Sequence, residues 1–312
     1  MVLFRKAKSA SVATLNGLTA FPITSRSLDW RGAHPLLSAT TTLEKKMSIS
    51  STVVDLADIQ FHAAVPELKE HVGCFWVITA EHGATMRVVP DGTTSIAIKQ
   101  QHDGQFEGYL RGPSLQPDDL VIAPATTLIG VRLRPGVALN LSGIPMHRLV
   151  DQRVCLSNYN IFDELMSVTP VPQTPTQWVE KLQEFLLSRL GGTNVHTLVA
   201  KVLDEIHAEQ GDIAVADIAA RHDVSERHLT RLMRDWVGFG TKRYAGIVRF
   251  QATLAQMESA PELPAAAIAI NAGYFDQSHF NVDIARYSGA TPGNLIAEHV
   301  SDFSKTHCDV PY

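Results

Sequence analysis

The stretch SERHLTRLMRDW, Ser225 to Trp236, sets three arginines and a histidine at helical spacing. Arg227, Arg231 and Arg234 recur at i, i+4 and i+7 with His228 beside them, so a helix gathers all four on one face. Leu229, Leu232, Met233 and Trp236 then form the opposite, apolar stripe. A guanidinium meets a phosphate, or the edge of a guanine, with two parallel hydrogen bonds. From Arg221 to Arg249 the basic side chains are Arg221, Arg227, Arg231, Arg234, Lys242, Arg243 and Arg249, against the acidic Asp223, Glu226 and Asp235. The whole chain of 312 residues carries a net charge of −5. A local reversal of sign inside an acidic chain is what a polyanion-facing surface requires. A merely solvated charged face is the plainer alternative.

A second segment of the same design lies about fifty residues on. IAARHDVSERHLTRLMRDW opens at Ile218 and IAINAGYFDQSHFNVDIARY at Ile268. Each begins as a short helix, passes a tight turn at Asp223 or Gly273, and starts a second helix at a capping side chain, Ser225 or Asp276. That is a helix-turn-helix, twice. In the second copy the outward strip is polar and uncharged: Gln277, Ser278 and Asn281. Tyr274, Phe280 and Tyr287 read as core anchors, and His279 as a half-buried packing residue. A joining helix runs from Lys242 to Met257, with Tyr244, Ile247, Val248, Ala252 and Leu254 as its apolar side. Two units so joined can set their second helices in successive turns of a major groove, about 34 Å apart.

These helices occupy the last third of the chain. Upstream, Thr174 as cap and Pro175 at the first helical position start a helix that carries Trp178, Leu182, Phe185, Leu186 and Leu190 to the stop at Gly191-Gly192. From about Thr52 to Leu156 the texture is β-rich: CFWVITA, TMRVVPDGTTSIAIKQ, FEGYLRG and DLVIAPATTLIGVRLRPGVAL are short runs broken by Gly, Pro and Asp, with a turn at Pro90-Asp91-Gly92. The predicted fold is α+β and multidomain, a β-rich N-terminal barrel or sandwich followed by an all-α domain with two helix-turn-helix units. The predicted boundaries are a disordered extension over 1–50, the β-rich domain over 51–160, a connecting helix within 161–193, the helical domain over 194–302 and a tail over 303–312. The first 46 residues are basic, acid-poor and aperiodic, which fits a targeting segment or, more plainly, a disordered tail or an upstream extension of a chain that begins at Met47.

From Val195 to Val300 the residues resemble the AraC/XylS family of bacterial transcription regulators. GYFDQSHF followed by YSGATPGNL is similar to that family's C-terminal signature, and VSERHLTRLMRDWVGFGTKRYAGIVRF to its first unit and linker helix. The resemblance implies sequence-specific binding of double-stranded DNA through Ser225, Arg227, His228, Arg231, Arg234, Gln277, Ser278 and Asn281. It implies no catalytic residues, a small-molecule effector or a dimer as the controlling input, RNA polymerase as a further partner, and a cytoplasmic location. The chain departs from the pattern at Asp223 for Gly, at Val282 for a basic residue, at Ile284 for Phe, and with GFGT before the linker helix. VPELKEHVGCFW, VPDGTTSIAI and GVRLRPGVALNLSGIPMHRLVDQRV are similar to a sensing or dimerising domain found ahead of AraC-type regions. Dimer formation is expected through the Trp178–Leu190 helix.

Other chemistry finds little support. No Gly-rich phosphate loop, Gly-x-Ser-x-Gly elbow or His-Glu-x-x-His occurs. His62, His71, His102, His147 and the pair His307 and Asp309 lack metal-ligand spacing, so neither metal nor other cofactor is expected. Cys74, Cys155 and Cys308 are widely separated, which fits a reducing compartment. Cys74 beside Phe75 and Trp76 reads as a buried strand residue. Arg132 and Arg134 alternate, which predicts one strand face that either holds an anionic effector or simply faces solvent, with Arg111 open to the same two readings. Two other functions stay open at this point. One is a DNA-repair alkyltransferase sharing the helix-turn-helix pair, the other a protein-binding adaptor that has lost DNA recognition.

Overall fold

The computed structural model describes residues 2–4, 58–100, 105–260 and 262–299. The tail over 303–312, and the extension over 1–50 apart from residues 2–4, lie outside them. The strands are β1 (Val2–Phe4), β2 (Asp58–His62), β3 (Val72–Ala80), β4 (Ala84–Val88), β5 (Thr94–Gln100), β6 (Phe106–Arg111), β7 (Asp118–Ile122), β8 (Thr126–Leu133) and β9 (Arg153–Cys155). A large antiparallel sheet has the order β2-β3-β8-β5-β6-β9, and a small one the order β1-β4-β7.

The barrel expectation is thereby corrected. The large sheet ends at β2 on one side and β9 on the other, so it is open, and the two sheets stack. The chain switches sheets instead of extending one ladder. It leaves after β3 through a turn at Gly83 (φ 85°), builds β4, and returns at Pro90–Thr93 to begin β5.

Strand alternation decides what each face of the large sheet meets. Ile78 and Ala80 of β3 and Leu128 of β8 point toward Met86 of β4 and Ile122 of β7, forming a small core between the sheets. Phe75, Val77, Ile96, Ile98, Ile129 and Val131 point the other way, into a larger core. Helix α1 (Ala138–Ser142), the single turn α2 (Asp163–Met166) and above all α3 (Pro175–Leu190) close that side. α3 begins in a full capping box between Thr174 and Gln177, with Pro175 at its first position. Trp178, Leu182, Phe185 and Leu186 are buried against the sheet, and the Trp178 ring meets Phe106 edge-on at 4.8 Å. Truncating Leu182 to alanine there costs about 2–5 kcal/mol. The apolar face expected to pair two copies is thus consumed within one chain.

The helical domain comprises α4 (Thr197–Ala208), α5 (Val215–Arg221), α6 (Glu226–Val237), α7 (Thr241–Ser259), α8 (Ala265–Asn271), α9 (Gln277–Ser288) and α10 (Pro292–His299). α7 is the joining helix and runs three residues longer than expected. Nineteen residues span about 28 Å. Tyr244, Ala245, Ile247, Val248, Phe250 and Leu254 are buried around most of its circumference, because α4, α6, α8 and α9 all pack on it. Tyr287 of α9 stacks obliquely on Phe250 at 5.3 Å, and its hydroxyl approaches Gly246, where a side chain would not fit without displacement.

The β-rich part packs directly on this domain. Val89 joins the helical core. Gly92, at φ 75°, lies so close to the Tyr244 ring that an added Cβ would stand 2.5 Å from it. Tyr244 is fully buried, and its hydroxyl is 2.8 Å from His207 Nε2. The β6–β7 loop touches both helix-turn-helix units. Pro113 rests on Gly238 just past α6, and Pro117 on Gly289 just past α9. The loop is itself pinned, since Asp151 N–H donates to Pro113 O at 3.0 Å and Leu115 N–H to Asp151 Oδ1 at 2.8 Å. Arg87, held by a two-point pair with Asp119, extends Nη1 to the Ser288 carbonyl at the end of α9.

Candidate nucleic-acid interface

Each unit is assembled by the same local rules. After α5, Asp223 adopts φ 52°, and Val224 N–H donates to Ala219 O at 3.0 Å. After α8, Gly273 adopts φ 72°, and Tyr274 N–H donates to Ala269 O at 3.0 Å. Asp replaces Gly at the first turn because a short polar side chain tolerates the left-handed region. Ser225 Oγ accepts the His228 N–H at 3.2 Å, and Asp276 Oδ1 the His279 N–H at 2.7 Å, so both second helices are N-capped. Both end at a left-handed glycine, Gly238 (φ 97°) and Gly289 (φ 72°).

These matched ends refine the repeat. The short helices are offset by fifty positions, Val215 to Ala265, but the second helices by fifty-one, Glu226 to Gln277. The additional residue is Phe275, between buried Tyr274 and the Asp276 cap, and it is 93% exposed. The equivalents of Arg227, Arg231 and Arg234 are therefore Ser278, Val282 and Ala285.

On α6, Leu229, Met233 and Val237 are buried, with Leu232 and Trp236 half-buried beside them. Arg227, His228, Arg231 and Arg234 are all exposed. Arg231 Nη2 lies 3.4 Å from His228 Nδ1, so the two share one patch. Ser225 is exposed as well, and its hydroxyl hydrogen stays available while its oxygen caps the helix. Two members of the sequence charge count serve other ends. Arg221 pairs with Glu205 at 3.2 Å, and Arg249 stacks over the Tyr274 ring at 5.0 Å. Lys242 and Arg243, at the start of α7, are exposed.

On α9, Gln277, Ser278 and Asn281 are exposed. Tyr274, Phe280, Ile284 and Tyr287 are core, and burial pushes the Tyr274 hydroxyl up to about 12. His279 is half-exposed, packs edge-on to Tyr274 at 5.3 Å and lies 3.5 Å from Asp283 Oδ2. Arg286 lies 3.4 Å from the same carboxylate, so the charged side chains of α9 pair among themselves.

The β-rich part carries its own polar constellation. Strand register aligns Cys74, Arg132, Ser95, Arg111 and Arg153 in one row across β3, β8, β5, β6 and β9. The neighbouring row is Trp76, Gly130, Ala97, Tyr109 and Cys155. Asp91 Oδ2 is 3.6 Å from Arg132 Nε, and Thr93 donates to Asp91 through both its backbone N–H and its hydroxyl. Burial opposes ionisation of Asp91, but the surrounding positive charge, Arg132 included, and the Thr93 bonds outweigh it and hold its carboxyl well below the usual range. Burial draws Arg111 below its ordinary value, against the attraction of Asp118, which also pairs with Arg153. Arg134 does not share this face. β8 ends at Leu133, and the Arg134 guanidinium turns to donate to the Lys69 carbonyl at 2.8 Å. Arg111, a candidate from the sequence, and Arg153, which was not one, are brought into the row of Arg132 by the register of β8, β5, β6 and β9. Cys74 is fully buried on β3.

Comparison with known proteins agrees with this division. Residues 218–298 match a family described as a helix-turn-helix domain, and residues 60–155 one described as a domain of unknown function, DUF6597. No curated protein matches the chain. Among solved structures, it is similar to the C-terminal domain of AraT, a response regulator from Geobacillus stearothermophilus, at 21% identity, covering 37% of this chain and 97% of that one, TM-score 0.33. It is also similar to ToxT from Vibrio cholerae, at 11% identity, covering 78% and 97%, TM-score 0.37. ToxT bound to an unsaturated fatty acid matches at 14% identity, covering 70% and 93%, TM-score 0.35. Residues 218–298 are thus a helix-turn-helix domain.

Proposed function

We propose that the protein reads two adjacent blocks of double-stranded DNA in a sequence-specific way, and that its β-rich domain controls this by sensing a small anionic effector. The observation that carries the reading is the pair of exposed, capped second helices tied to one 19-residue helix. Arg227, His228, Arg231 and Arg234 meet the first block, with Ser225 on the adjoining phosphate. Gln277, Ser278 and Asn281 meet the second. A separation near the length of α7 suits one DNA turn.

Arg132, Arg111 and Arg153 supply the anion-binding row, with the Trp76 and Tyr109 rings beside it for an apolar portion. Arg134 is left to its Lys69 carbonyl. An effector carboxylate on Arg132 competes with Asp91, whose neighbour Gly92 sits on Tyr244 of α7. Binding would thus shift the population between two dockings of the β-rich domain on the joining helix. A second copy of the chain would have to associate through a surface other than α3. The reaction catalysed is none, and the working compartment is the cytoplasm. An alkyl acceptor at Cys74 would be sealed from DNA by its burial.

The test is selection of DNA fragments by the purified full chain, with salt titration. A motif of two blocks one helical turn apart supports the reading. A folded protein that enriches nothing at low salt refutes it.

A further inference from the structure

We propose that the second helix-turn-helix unit reads thymine, by covering its C5 methyl group with an apolar strip formed by Val282, Ala285 and Phe275. The inference rests on the two-block reading above. It starts from the matched caps and terminal glycines, which set Val282 and Ala285 where the first unit has Arg231 and Arg234. The outward face of α9 therefore differs in kind from that of α6. Its one arginine, Arg286, turns to the buried Asp283, which His279 also approaches, so the Arg286 charge is balanced within the helix.

Beside the polar Gln277, Ser278 and Asn281, the face presents apolar side chains. Val282 is 55% exposed and Phe275 93%, and both are among the few large apolar side chains left in water by the described residues. Ala285 is exposed about one turn beyond Val282 and about two beyond Ser278. Phe275 is the extra residue of the second turn, delivered to the N-terminal edge of the helix that enters the groove. The thymine methyl is the apolar group that the major groove offers, and alanine- and phenylalanine-type contacts are its usual partners. Gln277 and Asn281 flank the strip, and an amide side chain pairs with the N6/N7 edge of adenine. The two sets of residues thus describe one A·T-rich block, beside a first block in which arginines select guanine.

The experiment measures affinity for the selected two-block DNA after thymines of the second block are replaced by deoxyuridine, which removes only the methyl groups. Each contacted methyl is expected to contribute about fourfold in affinity. Val282→Ala and Val282→Ser keep the fold, because the side chain is exposed, and the serine variant is expected to lose more of the preference for thymine over uracil than the alanine variant, whose methyl still meets the base. Phe275→Ala is expected to lose part of the preference. Equal binding of both DNAs by the wild-type protein, or undiminished preference in both Val282 variants, overturns the inference and leaves the two-block reading intact. A second block rich in G·C does the same. Recovery of a single block overturns both.

Discussion

Gly92→Ala tests the seat of the β-rich domain on the joining helix. Two effects add at this position. A non-glycine residue at φ 75° costs about 1–2 kcal/mol, because its Cβ crowds the following carbonyl. The new methyl would also stand 2.5 Å from Cε2 of Tyr244, a ring that is fully buried and anchored to His207. Overpacking of that kind adds about 1–3 kcal/mol, for a total near 2–5 kcal/mol. Gly143→Ala supplies the comparison. Its φ is 67°, yet an added Cβ meets nothing within 4 Å, so only the backbone part of the cost remains. Urea unfolding of the full chain measures both. A second comparison uses Tyr244→Ala as background. With the ring gone, the cost of Gly92→Ala should fall to that of Gly143→Ala, a coupling of about 1–3 kcal/mol. Equal destabilisation by the two glycine variants, and strict additivity with Tyr244→Ala, would refute the docking of this turn on α7 in solution.

Further expectations can be checked separately. Arg231→Ala should weaken specific binding by about 1–3 kcal/mol if the side chain reads a base, or lower the salt slope by about one if it meets phosphate, as a salt-titrated binding isotherm distinguishes. Asp276→Ala removes the cap of α9 and should cost about 1 kcal/mol in unfolding free energy. Burial, reinforced by Arg134, lowers His207 to about 4. The unfolded chain then takes up this proton near pH 6.5 and the folded chain only near 4, so stability held above pH 6.5 is lost as the pH falls toward 4, by about 3 kcal/mol at most. His207→Gln should flatten that part of the stability–pH curve. Arg132→Ala should abolish any stabilisation of the protein by carboxylate ligands in thermal melts, and Arg134→Ala should leave it in place.

The helical domain was legible because its signals are local. Ser225 and Asp276 cap as their side chains dictate, Asp223 takes the left-handed turn, and the apolar stripe of α6 is the one its spacing predicts. The β-rich domain was legible only as strands. Nothing within β4 says that it leaves the sheet of β3, since the choice is made by distant partners such as Ile122 and Leu128. Alternation put Arg132 and Arg134 together, but the strand ends between them. The stripe of α3 announced a buried face without saying what would bury it, and a sheet did so where a second copy was expected. Phe275 was hidden by the repeat itself. The Ile218–Ile268 spacing suggests a constant period, and only the paired caps and glycines show where one residue was added.

The loop that carries Pro113 and Pro117 has a consequence for how such a chain can change. Its two prolines stand four positions apart and touch the glycines that close α6 and α9. The gap between α6 and α9 is thus bridged twice, once by α7 and once by this loop. Lengthening or shortening that loop by one residue would misfit at least one of the two glycines, whatever residue was gained or lost. Its length is therefore tied to the distance between the ends of α6 and α9, although the loop belongs to the β-rich part.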